Sequence, residues 1–117
     1  RVDKEAATLQ ALLVPQHGYT RESPPLQLLC RALARMGPME RRRFLTFATG
    51  CPHLPPGGLA AMQPPLTVMR RSDSDQDLTT TSTCFRYVKL PAYSSLEILE
   101  ERLRYSIASS AGLIDMS

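Results

Sequence analysis

Ser82-Thr83-Cys84-Phe85-Arg86-Tyr87-Val88-Lys89-Leu90-Pro91-Ala92-Tyr93-Ser94-Ser95-Leu96-Glu97 is the stretch whose reading sets the fold class. Tyr87 to Leu90 reads as a short strand, and Pro91, which has no amide to give to a ladder, ends it. Ser94 and Glu97 stand at the spacing of a capping box, so a helix is expected to open there. Leu96, Leu99, Leu103 and Ile107 then share one face, with Glu100, Glu101, Arg102 and Arg104 pointing elsewhere; the helix is expected to end before Gly112.

Upstream, Arg71 to Ser82 is rich in Ser, Asp and Thr and reads as a solvated loop, preceded by a short strand over Leu66 to Arg70. Residues 51 to 65 carry Pro52, Pro55, Pro56, Gly57, Gly58, Pro64 and Pro65, the chemistry of an irregular connector. Two helices precede it. Ser23 and Pro24 open the first, which places Leu26, Leu29, Cys30 and Leu33 on one face; Gly37 and Pro38 end it. The second runs from about Met39 to Ala48, with Gly50 placed to terminate it and its three arginines expected to face water. Residues 1 to 14 have helical spacing at Ala6, Leu9, Leu12 and Leu13, stopped by Pro15 and Gly18, and read as a tail or the end of another domain.

Helices, an irregular middle and short strands in mixed order describe an α/β (α+β) fold: helices packed on a short-stranded sheet. A chain of 117 residues accommodates one small domain. The net charge of +3 is mild, and the arginines of residues 31 to 43 are not interleaved with stacking aromatics, so no nucleic acid is expected as a partner. No apolar run approaches the roughly 20 residues that span a bilayer, so no membrane is expected either. The chain has no initiator Met and reads as a fragment of something longer.

Cys30, Cys51 and Cys84 cannot all pair with one another, and no Cys/His spacing suggests a metal site. A free cysteine is most often a small buried hydrophobe, which fits Cys30 on its apolar helix face. Cys84 follows a polar loop and precedes a strand, where a sulfur at a loop edge can attack an incoming ester. Cys51 also sits in a loop, and spacing alone does not separate the two. His17 and His53 are isolated in loop segments, so a Cys/His protease dyad has no sequence support.

Several motifs in order carry a resemblance. Phe44-Leu45-Thr46-Phe47-Ala48-Thr49-Gly50 resembles the FLxFxTG segment of the HECT catalytic lobe, and Leu54-Pro55-Pro56-Gly57-Gly58-Leu59 resembles its LPxGGF turn. Pro64-Pro65-Leu66-Thr67-Val68 continues the match. Thr83-Cys84-Phe85 matches the TCF motif, and Leu90-Pro91-Ala92-Tyr93-Ser94-Ser95 matches LPxYxS. His17-Gly18-Tyr19-Thr20 looks like the hand-over between the two lobes of these ligases. The sequence thus resembles the C-terminal lobe of a HECT-type ubiquitin ligase, most like the thyroid-receptor-interacting and plant trichome-type branch. The division implied is residues 1–22 as the end of the N-lobe and the interlobe hinge, and 23–117 as the C-lobe.

The resemblance implies transthiolation: Cys84 takes ubiquitin from a conjugating enzyme as a thioester and passes it to a substrate lysine, with no metal or small cofactor. It further implies that the Thr83 hydroxyl and the Phe85 ring support the nucleophile loop, the ring packing under it. Arg86 and Lys89 stand near the nucleophile as positive charges, although such residues are usually just solvated. Ile114 stands where the family often carries a Phe that positions the lobe for transfer, and Asp115 is a candidate to help deprotonate the incoming lysine. The expected partners are ubiquitin, a conjugating enzyme bound through the N-lobe, and protein substrates, with the ubiquitin tail laid along Leu66 to Met69 or Phe85 to Val88. The expected compartment is cytoplasm or nucleus. Two competing readings are a noncatalytic ubiquitin-binding scaffold on the same fold and a helical interaction module using the Leu96, Leu99 and Leu103 face.

Overall fold

The computed structural model describes residues 8–50 and 65–116, with the side chains of the last helix described to residue 110. In chain order the elements are β1 (Val14–Gln16), α1 (Pro24–Arg35), α2 (Pro38–Thr49), β2 (Thr67–Arg70), β3 (Thr80–Ser82), β4 (Tyr87–Leu90) and α3 (Leu96–Met116). The strands form one sheet in the order β1-β2-β4-β3. β1 runs parallel to β2 and β2 parallel to β4, while β3 returns antiparallel to β4. This is the expected α/β arrangement, a small sheet covered by helices.

β2 and β4 form the centre of the sheet in the register Val68↔Val88, and both valines are fully buried. Leu66 and Leu90 flank them in the core, and Leu99 and Leu103 of α3 join the same cluster, as do Leu26, Leu29 and Leu33 of α1 and Phe44 and Ala48 of α2. Cys30 lies in this core at 1 % exposure, and burial pushes its thiol up to about 11. It is a packing residue. The apolar face of α3 is therefore the domain's own core, which overturns the interaction-module reading.

Two strands were not expected from the sequence. β1 contains Pro15, and a proline is tolerated because β1 is an edge strand with only β2 beside it among the described residues. Residues 8–12 are helical, and Leu13 then turns the chain into β1 as a fully buried core residue. Arg21 holds that turn by donating to the carbonyls of Gln10 and Leu13, the latter at 3.0 Å. Tyr19 fastens the return, its buried hydroxyl donating to the Leu90 carbonyl at 2.6 Å. β3 lies inside the stretch read as a polar loop; its β-branched Thr80 and Thr81 suit a strand once β4 supplies the ladder.

Helix ends depart from the sequence reading in instructive ways. Ser23 precedes α1, but Pro24 and Pro25 have no N–H to offer, and the Ser23 hydroxyl accepts instead from the Thr20 amide at 2.8 Å. Arg41 of α2 does not simply face water: its guanidinium donates to Leu33 O at 2.8 Å and Ala34 O at 3.3 Å, satisfying carbonyls at the end of α1. The α3 cap is Ser95, not Ser94, with Ile98 N–H donating to Ser95 Oγ at 3.2 Å. The helix also continues through Gly112 to Met116, because a glycine weakens a helix by about 1 kcal/mol without removing a hydrogen bond.

Ser94 is occupied elsewhere. Its amide and hydroxyl donate to the two Asp75 carboxylate oxygens at 2.9 and 2.7 Å, and Arg102 of α3 donates to Asp75 O at 2.8 Å. Tyr93 adds a hydrogen bond to Asp77 O at 2.6 Å and shares one with Thr79, which is 1 % exposed. The 71–79 segment, expected as a solvated loop, is thereby fastened to the start of α3. The Ser94 hydroxyl, followed by the Ser94 amide, holds the Asp75 carboxyl below its ordinary value of 3.8. Because the folded value is depressed, this contact contributes fully above the ordinary carboxylate range and is lost as pH falls through the depressed value. An NMR pH titration is expected to show the Ser94 amide shift tracking Asp75 protonation below pH 3.8, and Asp75→Asn to remove that titration.

Candidate functional site

Cys84 stands on the turn of residues 83–86 that joins β3 to β4, and its side chain is exposed. The arms below it are zipped in the register Ser82↔Tyr87, Thr81↔Val88 and Thr80↔Lys89. Two main-chain bonds close the turn, Phe85 N–H to Ser82 O and Arg86 N–H to Thr83 O, both at 3.3 Å. Arg86 completes it in the left-handed region at φ 56°, and its carbonyl accepts the Thr67 amide at 2.9 Å, tying the turn to the start of β2. Lys89 lies back along β4, opposite Thr80 rather than at the tip.

The other side of the hairpin rests on α2. Thr81 Oγ1 donates to Phe47 O at 3.2 Å, satisfying one of the carbonyls that a helix C-terminus leaves free. Gly50 ends α2 in the left-handed conformation, φ 74°, with its amide donating to Thr46 O at 2.7 Å. Thr83 stands directly over that glycine: a Cβ built on Gly50 would come within 3.3 Å of Thr83 Cβ. The two segments read separately in the sequence, residues 44–50 and 82–85, are thus neighbours. Phe44 and Ala48 bury the opposite side of the helix in the core.

Several sequence expectations need correction. The Phe85 ring does not pack under the turn; it is 64 % exposed and leans on Tyr87, with ring centroids 5.8 Å apart. A residue at the tip of a short turn has no protein beneath it to cover a ring. Thr83 supports the turn through its contact at Gly50 and through its main-chain carbonyl. Neither strand named for pairing with an incoming tail has a free side, since β2 lies between β1 and β4 and β4 between β2 and β3. Strand addition needs an unpaired edge.

His17 follows β1, whereas Cys84 lies between β4 and β3, so at least two strand spacings, about 10 Å, separate them and no dyad forms. Cys51, His53 and the Leu54–Leu59 motif lie outside the described residues, as do the side chains of Ile114 and Asp115; the backbone of the latter two belongs to the last turn of α3. Among the described residues no cluster of His, Cys, Asp and Glu is built to hold a metal ion, and no helix is long and apolar enough to cross a membrane.

The sequence matches the model of the HECT-domain (ubiquitin-transferase) family over residues 3–114. The chain belongs to the HECT-domain family. Among curated relatives, this HECT segment is 44 % identical over 104 residues to the E3 ubiquitin-protein ligase UPL4 of Arabidopsis thaliana, covering 86 % of the chain and 7 % of the relative. It is 48 % identical over 94 residues to the E3 ubiquitin-protein ligase hecd-1 of Caenorhabditis elegans, 80 % of the chain and 4 % of the relative. The E3 ubiquitin-protein ligase TRIP12 of Danio rerio is 39 % identical over 104 residues, 85 % of the chain and 5 % of the relative. The HECT segment therefore spans less than a tenth of the length of these relatives.

The hairpin contact with α2 has a measurable consequence. Thr81→Val keeps the shape and removes the hydroxyl that satisfies Phe47 O. Chemical denaturation should show a loss of about 1 kcal/mol, and hydrogen exchange should show faster amides in β3 than in β2.

Proposed function

We propose that this HECT segment transfers ubiquitin with Cys84 as the nucleophile. The observation that carries the reading is an exposed thiol at the tip of a buttressed hairpin, within a chain of the HECT family. Sulfur suits the role because a thiolate is both a good nucleophile and a good leaving group, so two easy exchanges replace one direct transfer. In the first, Cys84 Sγ attacks the carbonyl carbon of the thioester on a conjugating enzyme; a new S–C bond forms and the donor's thiolate leaves. In the second, a substrate lysine amine attacks that carbon, an amide forms, Cys84 leaves as thiolate, and the amine's proton passes to a base.

Each part of the hairpin has a task in this scheme. Exposure gives the sulfur access to two successive macromolecular partners, and the β3–β4 ladder with its α2 support limits how far the sulfur wanders between them. Asp115 is the proposed base, and Ile114 a positioning residue in place of the more usual aromatic. Ubiquitin, a conjugating enzyme and protein substrates are the proposed partners, the enzyme docking through a preceding lobe. Residues 1–22 would be the end of that lobe and the hinge, with Val14–Gln16 serving also as the sheet's edge strand. The names of the relatives as E3 ubiquitin-protein ligases support the same assignment.

The test is a nonreducing gel of the full catalytic region, with its preceding lobe, after incubation with activating enzyme, conjugating enzyme and ubiquitin. A thiol-sensitive ubiquitin adduct is expected, absent in Cys84→Ala and retained in Cys51→Ala, while circular dichroism shows both variants folded. Equal loss from both substitutions rejects Cys84 as the nucleophile.

A further inference from the structure

The Cys84 turn is weakly held by its own bonds. Its two closing hydrogen bonds are 3.3 Å long, at or beyond the usual N–H···O range, and Arg86 adopts a left-handed conformation that few non-glycine residues take. A turn of this kind on two short strands would let an exposed sulfur sample many positions. What restrains it lies on a different element. Thr81 and Thr83, two residues apart, both meet the last turn of α2, one through the bond to Phe47 O and the other across Gly50. Cys84 is the first residue beyond that clamp.

Gly50 suits this contact for two separate reasons. Its φ of 74° is a conformation L side chains rarely adopt, and a Cβ would meet Thr83 Cβ at 3.3 Å and Thr83 Cγ2 and Oγ1 at 3.5 Å. The first ends the helix. The second sets how close the helix end comes to the residue preceding the sulfur. Asparagine separates the two, because it tolerates the left-handed region but carries a Cβ.

We propose that Gly50 is a positioning residue for Cys84: the close approach of the α2 terminus to Thr83, which a Cβ at residue 50 would push apart by a few tenths of an ångström, sets where the sulfur stands for thioester exchange. This rests on the reading of Cys84 as the nucleophile. Gly50 touches no reacting atom and acts through Thr83. Displacement of a reacting group by a fraction of an ångström lowers the rate at saturation more than it alters partner binding, because the docking surfaces lie elsewhere.

The experiment compares wild type, Gly50→Asn and Gly50→Asn/Thr83→Ala in the full catalytic region, measuring single-turnover loading of Cys84 across a range of ubiquitin-charged conjugating enzyme. Thermal unfolding and alkylation of Cys84 by iodoacetamide, read by peptide mass spectrometry, are measured alongside. Gly50→Asn is expected to load about tenfold more slowly at saturation, with an unchanged half-saturation concentration and an unchanged alkylation rate. Thr83→Ala removes the two atoms at 3.5 Å and leaves Thr83 Cβ, the nearest at 3.3 Å, freer to give way, so it is expected to recover part of that loss. Loading of Gly50→Asn at the wild-type rate, or a loss matched by equal loss of alkylation or of fold and not relieved by Thr83→Ala, overturns the inference. Wild-type protein that forms no Cys84 adduct overturns the nucleophile reading and this inference with it; normal wild-type loading with unaffected Gly50 variants overturns this inference alone.

Discussion

The parallel pairing of β2 with β4 is the constraint on which the rest of the structure depends. These strands are brought together by a connection that first runs out through the 71–79 segment and returns as β3, so that β4 can lie between β2 and β3. Val68 and Val88 meet in that pairing and join one buried core with residues of α1, α2 and α3. A slip of either strand by one residue would turn its valine to the opposite face and take its leucine, Leu66 or Leu90, out of the core. The hairpin that carries Cys84 exists because the chain must reverse between β3 and β4.

That origin explains why the reactive candidate is both exposed and well supported. The tip of a reversal projects beyond the sheet, where Cys84 and Phe85 reach solvent, while its base is bound on one side to β2 through Thr67 and on the other to α2 through Thr81 and Thr83. The second clamp, from Asp75, Asp77 and Thr79 to Tyr93, Ser94 and Arg102, keeps the connection ordered before it enters β3. Tyr93 and Ser94 from the LPxYxS segment are therefore fasteners of the polar connection, and the glycine of the FLxFxTG segment is the seat of the hairpin. Neither role requires contact with the chemistry.

Much of this was legible before any coordinates. α1 and α2 are found close to where their caps and apolar faces place them, and β2 and β4 appear where short apolar runs meet prolines, because those signals are local. Most of the readings that failed depended on a partner outside the segment being read. Thr80 and Thr81 look like loop until β4 stands beside them. Val14–Gln16 looks like the end of a helix until β2 offers an edge that tolerates Pro15. Ser94 has the spacing of a cap but is taken by Asp75, which leaves Ser95 to cap α3. Phe85 resembles a packing residue by type alone, and only its place at the tip shows that its ring is mostly exposed and leans on Tyr87.

By itself the sequence determined the α/β class, the core faces of the helices, the burial of Cys30 and, through ordered motifs, membership of the HECT family. The class, the core faces and the burial of Cys30 follow from periodicity and composition, which the chain carries locally; the family follows from motifs that resemble those of the HECT catalytic lobe. Only the tertiary structure decided the order of the strands, the absence of a free edge on β2 and β4, and the meeting of Gly50 with Thr83. The physical reason is that strand pairing and close backbone approach satisfy groups separated by tens of residues, and no local pattern records which distant carbonyl or side chain will satisfy them.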